Sequence, residues 1–98
     1  MKVETTLYGI RFEWDSEKAA TNLRKHGVSF EIAREAFFDP FVRVVEASGE
    51  NEARDALIGM TREGRLLFVV HIEHTDEIFR LISARPATVA ERRLYEDG

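Results

Sequence analysis

The sequence predicts an α+β domain in which helices pack against one face of an antiparallel sheet, and three observations carry that prediction. Leu66 to Ile72 and Ile78 to Ile82 are aliphatic and aromatic runs separated by the short polar pair Thr75-Asp76, the signature of a β-hairpin. Ser16 to His26 and Phe30 to Phe37 repeat apolar residues at spacings of three and four, each behind a capping residue, as a pair of helices does. From Phe41 to Ile82 the strand-like runs follow one another with no helix between them, and one more helical pattern closes the chain. That segregation of strands from helices is the mark of an α+β fold.

Taken in order, Ile10-Arg11-Phe12-Glu13-Trp14 alternates apolar and charged residues as a short strand does. Asp15 is placed to cap the helix that follows, Ala19, Ala20 and Leu23 form its apolar stripe, and Gly27 is placed to end it in a left-handed conformation. Lys18, Asn22 and Lys25 fall on its polar side, for which a solvated face is the plainer reading. Ser29 caps a second helix whose buried side is Phe30, Ala33, Ala36 and Phe37, and Phe38-Asp39-Pro40 stops it. Because the turn Gly27-Val28 is short, the two helices form an αα-hairpin. Phe41 to Val45 and Arg54 to Thr61 read as strands, with Ala47 to Glu52 as a polar loop between them. Thr88-Val89-Ala90-Glu91 is a capping-box pattern, so a last helix runs from about Val89 to Tyr95.

Two loops set the expected register. With Thr75-Asp76 as a two-residue loop, His71 stands opposite Arg80, Val69 opposite Ile82 and Glu73 opposite Ile78. Arg62-Glu63-Gly64 as a three-residue loop pairs Thr61 with Arg65, which sets Ile58 beside Phe68, Ala56 beside Val70 and Asp55 beside His71. The expected apolar face then carries Leu66, Phe68, Val70 and Ile72 against Phe79 and Leu81. The other face, with Asp55, His71, Glu73 and Arg80, is expected to be open. Phe12, Trp14, Phe30 and Phe37 are expected in the core.

The 98 residues, 44% of them hydrophobic, suit one domain spanning 1–98 with a single core. No apolar run is long enough to span a bilayer and Met1 to Thr6 lack a signal-peptide core, so a cytoplasmic location is the expectation, with no membrane partner. With no cysteine, disulfides and thiolate metal sites are excluded. His26, His71 and His74 lack a helical His-x-x-x-His spacing, so no metal or other cofactor is expected. A net charge of -4 argues against a broad basic surface for nucleic acid but leaves room for a local one, since counterion release depends on the contacts at the site.

Five segments carry a resemblance. Phe12-Glu13-Trp14-Asp15, the run Asn22-Leu23-Arg24-Lys25-His26-Gly27-Val28-Ser29-Phe30-Glu31, Ile58-Gly59, Gly64-Arg65-Leu66-Leu67 and Ile82-Ser83-Ala84-Arg85 resemble the BrnT family of bacterial toxins, from Phe12 to Tyr95. The resemblance implies a RelE-like ribonuclease fold with a concave catalytic sheet face and metal-free cleavage of messenger RNA. It also implies a cognate BrnA-like antitoxin, through which alone DNA would be contacted. The chain departs from the pattern at His71, where Tyr is expected, at His74, where Arg is expected, and at Pro86, where Lys is common.

Metal-free RNA cleavage needs a base for the ribose 2′-hydroxyl, an acid for the leaving oxygen and cations for the phosphate. In the expected arrangement Arg80 and Arg85 bind the scissile phosphate, because the planar guanidinium matches phosphate oxygens. His71 or Glu73 acts as base, Lys25 or His26 assists, and Lys18, Asn22, Lys25 and Arg65 bind the RNA. Plainer roles stand beside these. His26 sits where histidines bond the last carbonyls of a helix, and Arg85 could be an edge residue salt-bridged to the last helix. The expected function is an endoribonuclease toxin that inhibits translation. The alternative is a catalytically weakened antitoxin-binding module, and a standalone RNA-binding domain is disfavoured by the acidic balance and the lack of an aromatic platform.

Overall fold

A computed structural model describes residues 1–46, 54–74 and 77–98. The expected loops Ala47 to Glu52 and Thr75-Asp76 lie outside the described residues. Six strands, β1 (Lys2–Leu7), β2 (Ile10–Asp15), β3 (Arg43–Glu46), β4 (Asp55–Met60), β5 (Leu66–His74) and β6 (Ile78–Pro86), form one sheet in the order β1-β2-β6-β5-β4-β3. Every neighbouring pair is antiparallel except β2 and β6, which run parallel through Arg11 to Glu13. The helices are α1 (Ser16–His26), α2 (Phe30–Ala33) and α3 (Val89–Asp97).

Capping chemistry sets the helix limits as the sequence predicts. The Asp15 carboxylate accepts from the Lys18 N–H at the start of α1, and Gly27 ends it at φ 69° while donating to the Leu23 carbonyl. Thr88 and Glu91 form the reciprocal capping box of α3. The expected second helix is corrected: after one α-turn the chain tightens into a 3-10 segment, Arg34–Phe38, so no full αα-hairpin forms. This tightening keeps Ala36 against β4, where a Cβ on Gly59 would come within 2.4 Å of the Ala36 carbonyl oxygen. Only glycine allows that approach.

The core holds Phe12, Trp14, Phe30, Leu57, Leu67, Val69, Leu81 and Ala84 with Val28, Ala33 and Ala36, and Phe37 packs on it. Edge-to-face contacts of Trp14 with Phe30 and of Phe12 with Phe37 fasten α2 and the 3-10 segment to β2.

β4 and β5 pair as predicted, Ile58 with Phe68, Ala56 with Val70 and Asp55 with His71. β5 and β6 do not. Observed partners are Val69 and Ala84, His71 and Leu81, Ile72 and Arg80, Glu73 and Phe79, and His74 and Ile78. The hairpin closes one residue later than expected, with Glu77 at φ 61°, and such a slip turns one strand over relative to the other. The register then passes from His71–Leu81 to Val70–Ser83, which makes Ile82 the extra residue of a bulge. Consequently Leu67, Val69 and His71, not Phe68 and Val70, share the helix-covered face with Phe79 and Leu81.

The second face is not bare either. Register places Phe68, Ile58, Arg43 and Arg85 together on it, and α3 packs there against β4, so the helices are not confined to one face. Tyr95 of α3 donates to Asp39 at 2.6 Å, and Glu91 holds Arg85. The opposite end of this face, formed by β1, β2 and β6, presents side chains to solvent. β1 is absent from the sequence-based prediction because Lys-Val-Glu-Thr-Thr-Leu is an edge strand whose outward face is charged and solvated.

Candidate active site

At that open end three strands converge on Glu13 of β2. Its carboxylate is only 7% exposed although no helix lies over it, because Lys2 from β1 and Arg80 from β6 close around it. Arg80 Nη1 donates to Glu13 Oε2 at 2.8 Å, Lys2 Nζ lies 3.4 Å from Oε1, and His74 Nε2 lies 3.8 Å from Oε2. Lys2 also pairs with Glu4, which stands directly opposite Glu13. Burial by itself would push the Glu13 carboxyl up, but the hydrogen bonds from Arg80 and Lys2 and their charges outweigh it and hold the group below its usual value. It is therefore ionised at neutral pH. The cluster contains a fixed carboxylate, a guanidinium, an ammonium and an imidazole that is half exposed, the residue types that phosphate binding and proton transfer require.

A groove of about 450 Å³ runs on from this cluster between α1 and β6, lined by Lys18, Thr21, Asn22, Lys25, His26, Ile82 and Ser83 together with Asp15 and Glu17. It begins where the cluster ends, since Asp15 follows Glu13 on the same face of β2 and Ile82 lies two residues beyond Arg80. At its far end Arg65 donates to the Gly27 carbonyl at 3.2 Å, tying the β4–β5 loop to the end of α1. Thus Lys18, Asn22, Lys25 and His26 do converge. Asn22, however, spends its amide on the backbone: its Nδ2 donates to the carbonyls of Val28 and Ala84, and its Oδ1 accepts from the Ala84 N–H.

The expected row Asp55, His71, Arg80 is corrected. Asp55 and His71 are cross-strand partners, but Arg80 stands opposite Ile72 on the other face and pairs with Glu13. His71 is 4% exposed and its ring lies edge-on to Phe37 and Phe79, under the 3-10 segment. Desolvation lowers its pKa, against smaller raising effects of the Val69 carbonyl, Asp55 and Glu73, so the imidazole is neutral. Glu73 shares its face at the exposed end of β5, opposite Phe79. Arg85 sits away from the cluster. Its guanidinium forms a two-pronged pair with Glu91 at 2.7 and 2.8 Å and lies 4.4 Å over the Phe68 ring, which is the salt-bridged edge role open to it from the sequence.

Glu13, Lys2 and His74 are the site residues that sequence reasoning missed. Glu13 reads there as the outward residue of a short strand, and only the parallel pairing of β2 with β6 brings it to Arg80. The available signal was the pairing of a Glu inside an apolar strand with an Arg inside another.

Among the described residues, no helix is long and apolar enough to cross a membrane. No curated protein matches the chain closely enough to inform this site. The crystal structure of the Brucella abortus ribonuclease toxin BrnT is similar in fold, with a TM-score of 0.57 and 26% identity over 76% of this chain and 92% of that one. The family described as the ribonuclease toxin BrnT of type II toxin-antitoxin systems matches residues 14–91, which contain Glu13's partners Arg80 and His74, the whole α1 groove and the capping box of α3. With most of its length accounted for by that match, the chain belongs to the BrnT family of ribonuclease toxins of type II toxin-antitoxin systems.

Proposed function

We propose that the protein is a metal-independent endoribonuclease of RelE-like arrangement that cleaves messenger RNA and so inhibits translation and growth. A BrnA-like antitoxin neutralises it and makes any contact with DNA. The observation that carries this reading is the Arg80–Glu13 pair, a guanidinium held by a buried carboxylate on an open sheet face, continuous with a groove that presents Lys18, Lys25 and His26. Arg80 takes the scissile phosphate, and the groove follows the adjoining backbone of the RNA strand. Arg65 supports the groove at the end of α1, and Asn22 holds its wall by tying α1 to β6.

Incubating the purified protein with a long RNA, with and without a chelator, tests the reading. Cleavage that survives the chelator and stops when the antitoxin is added is the expected result. No cleavage in either arm, together with tight binding of the antitoxin, overturns it in favour of a module that binds the antitoxin without acting on RNA.

A further inference from the structure

His74 is an unusual residue to find beside the Arg80–Glu13 pair. It is the last residue of β5, its side chain is 47% exposed, and its Nε2 approaches Glu13 Oε2 to 3.8 Å on the open face. Among the described residues, the groups on its side of the sheet are Glu13 from β2, Arg80 and Ile78 from β6, and Lys2 with Glu4 from β1. Glu13 is too enclosed to reach a substrate, whereas His74 is open to one. A buried carboxylate that hydrogen-bonds a guanidinium and lies within ion-pair distance of an exposed imidazole can orient a base and a phosphate ligand together.

Resting on the ribonuclease reading above, the geometry points to His74 as the general base of RNA cleavage, with Glu13 as its positioning residue and Arg80 and Lys2 as the cations that receive the phosphate. His74 takes the proton of a ribose 2′-hydroxyl. The 2′-oxygen attacks the adjacent phosphorus, the bond from phosphorus to the 5′-oxygen breaks, and the leaving oxygen takes a proton from solvent water. The hydroxide left behind is neutralised by the proton His74 returns to solvent. The products are a 2′,3′-cyclic phosphate and a 5′-hydroxyl end, and no metal or redox partner enters the balance. The positive imidazolium formed during the step is stabilised by the Glu13 carboxylate beside it.

The same chemistry cannot be assigned to His71, which is enclosed by Phe37 and Phe79 on the far side of the sheet.

The test uses the full chain and an RNA oligonucleotide, following kcat/KM from pH 5 to 9. His74→Gln is expected to lose about a hundredfold or more in kcat/KM, the contribution of a positioned base, and to lose the acidic limb of the profile. Free imidazole is expected to restore part of the rate to His74→Ala. Glu13→Gln is expected to lower kcat with little change in KM, because the imidazole has lost the carboxylate that positions it. As His74 is exposed, its variants keep their melting temperature, and Glu13→Gln is compared only after its melt is recorded. Wild-type cleavage with an unchanged rate and acidic limb in His74→Gln overturns the assignment and leaves the ribonuclease reading intact. No wild-type cleavage of RNA at any pH overturns both, and a 2′-deoxy substitution at the cut site that leaves cleavage unaffected overturns the mechanism.

Discussion

Asn22 of α1 and Ala84 of β6 are joined through both ends of the asparagine amide, 2.8 Å from Nδ2 to the Ala84 carbonyl and 3.1 Å from the Ala84 N–H to Oδ1. The side chain does for β6 what a neighbouring strand would do. Beyond Arg80 the strand has no β2 partner, because β2 turns into α1 at Asp15. A third bond, to the Val28 carbonyl at 2.9 Å, fastens the turn after α1 to the same point.

Asn22→Ala strips three buried bonds and leaves the Ala84 N–H and carbonyl and the Val28 carbonyl without that partner. The expected cost is about 2–4 kcal/mol, since each buried polar group left unpaired costs about 1–3 kcal/mol and water relieves part of it. Urea denaturation of the variant against the parent protein measures it. A loss below about 0.5 kcal/mol would show that the groove admits water freely to these atoms.

Gly59→Ala tests the approach of β4 to the 3-10 segment. The added Cβ would meet the Ala36 carbonyl oxygen at 2.4 Å and its Cβ at 3.0 Å, and backbone cannot rotate aside as a side chain can. Overpacking of this kind costs about 1–3 kcal/mol. A thermal melt unchanged within a degree would mean that the 3-10 segment shifts at no cost.

Tyr95 and Asp39 give a pH dependence with two signs. The Asp39 carboxyl is raised by burial but lowered more by the Tyr95 hydroxyl and the Phe41 and Met60 N–H groups, so its folded value is depressed. Its contribution is present above its ordinary value of 3.8 and is lost as pH falls through the lower folded one. The Tyr95 hydroxyl, held by Asp39, is pushed up from 10.0 to about 12, so its contribution is complete below pH 10 and is lost as pH rises toward 12. Tyr95→Phe is expected to lower stability at pH 7 by about 1 kcal/mol and to flatten the loss between pH 10 and 12. Melting midpoints at pH 7, 10 and 11.5 for both proteins decide the matter.

Glu13 adds an acid-side effect of its own. Its folded value is depressed below 4.5, so the stability it contributes is whole above pH 4.5 and declines as pH falls through the folded value. Removing its guanidinium partner leaves a nearly buried carboxylate with Lys2 and His74 alone. Arg80→Ala is expected to cost about 1–3 kcal/mol at pH 7, less than for a fully buried pair because Arg80 is 30% exposed. The difference between the two proteins should shrink toward pH 3, as followed by denaturation at pH 7, 5 and 3.

Short-range features were legible in the residues. Asp15, Gly27, Ser29, Thr88 and Glu91 act on atoms within four positions of themselves, and their caps stand where expected. The Arg62-Glu63-Gly64 loop set the β4–β5 register for the same reason, with the Thr61 N–H donating to the Arg65 carbonyl at 2.8 Å. The β5–β6 hairpin was harder. Both faces of β5 carry apolar residues because α1, α2 and the 3-10 segment cover one and α3 covers part of the other, so hydrophobicity could not tell a register from its one-residue slip. The bulge at Ile82 then changed the phase again within a single strand.

By itself, then, the sequence determined the class of the fold, the helix ends, the strand runs of the central hairpins, the aromatic core and the family. Those depend on contacts between residues a few positions apart, on composition, or on strings of residues read directly. Only the tertiary structure decided which histidine reaches the carboxylate that binds Arg80. The parallel pairing of Glu13 with Arg80 joins residues 67 positions apart, and Lys2 and His74 reach the same carboxylate from two further strands. No local periodicity encodes such a meeting, because it follows from the order in which the whole sheet is assembled.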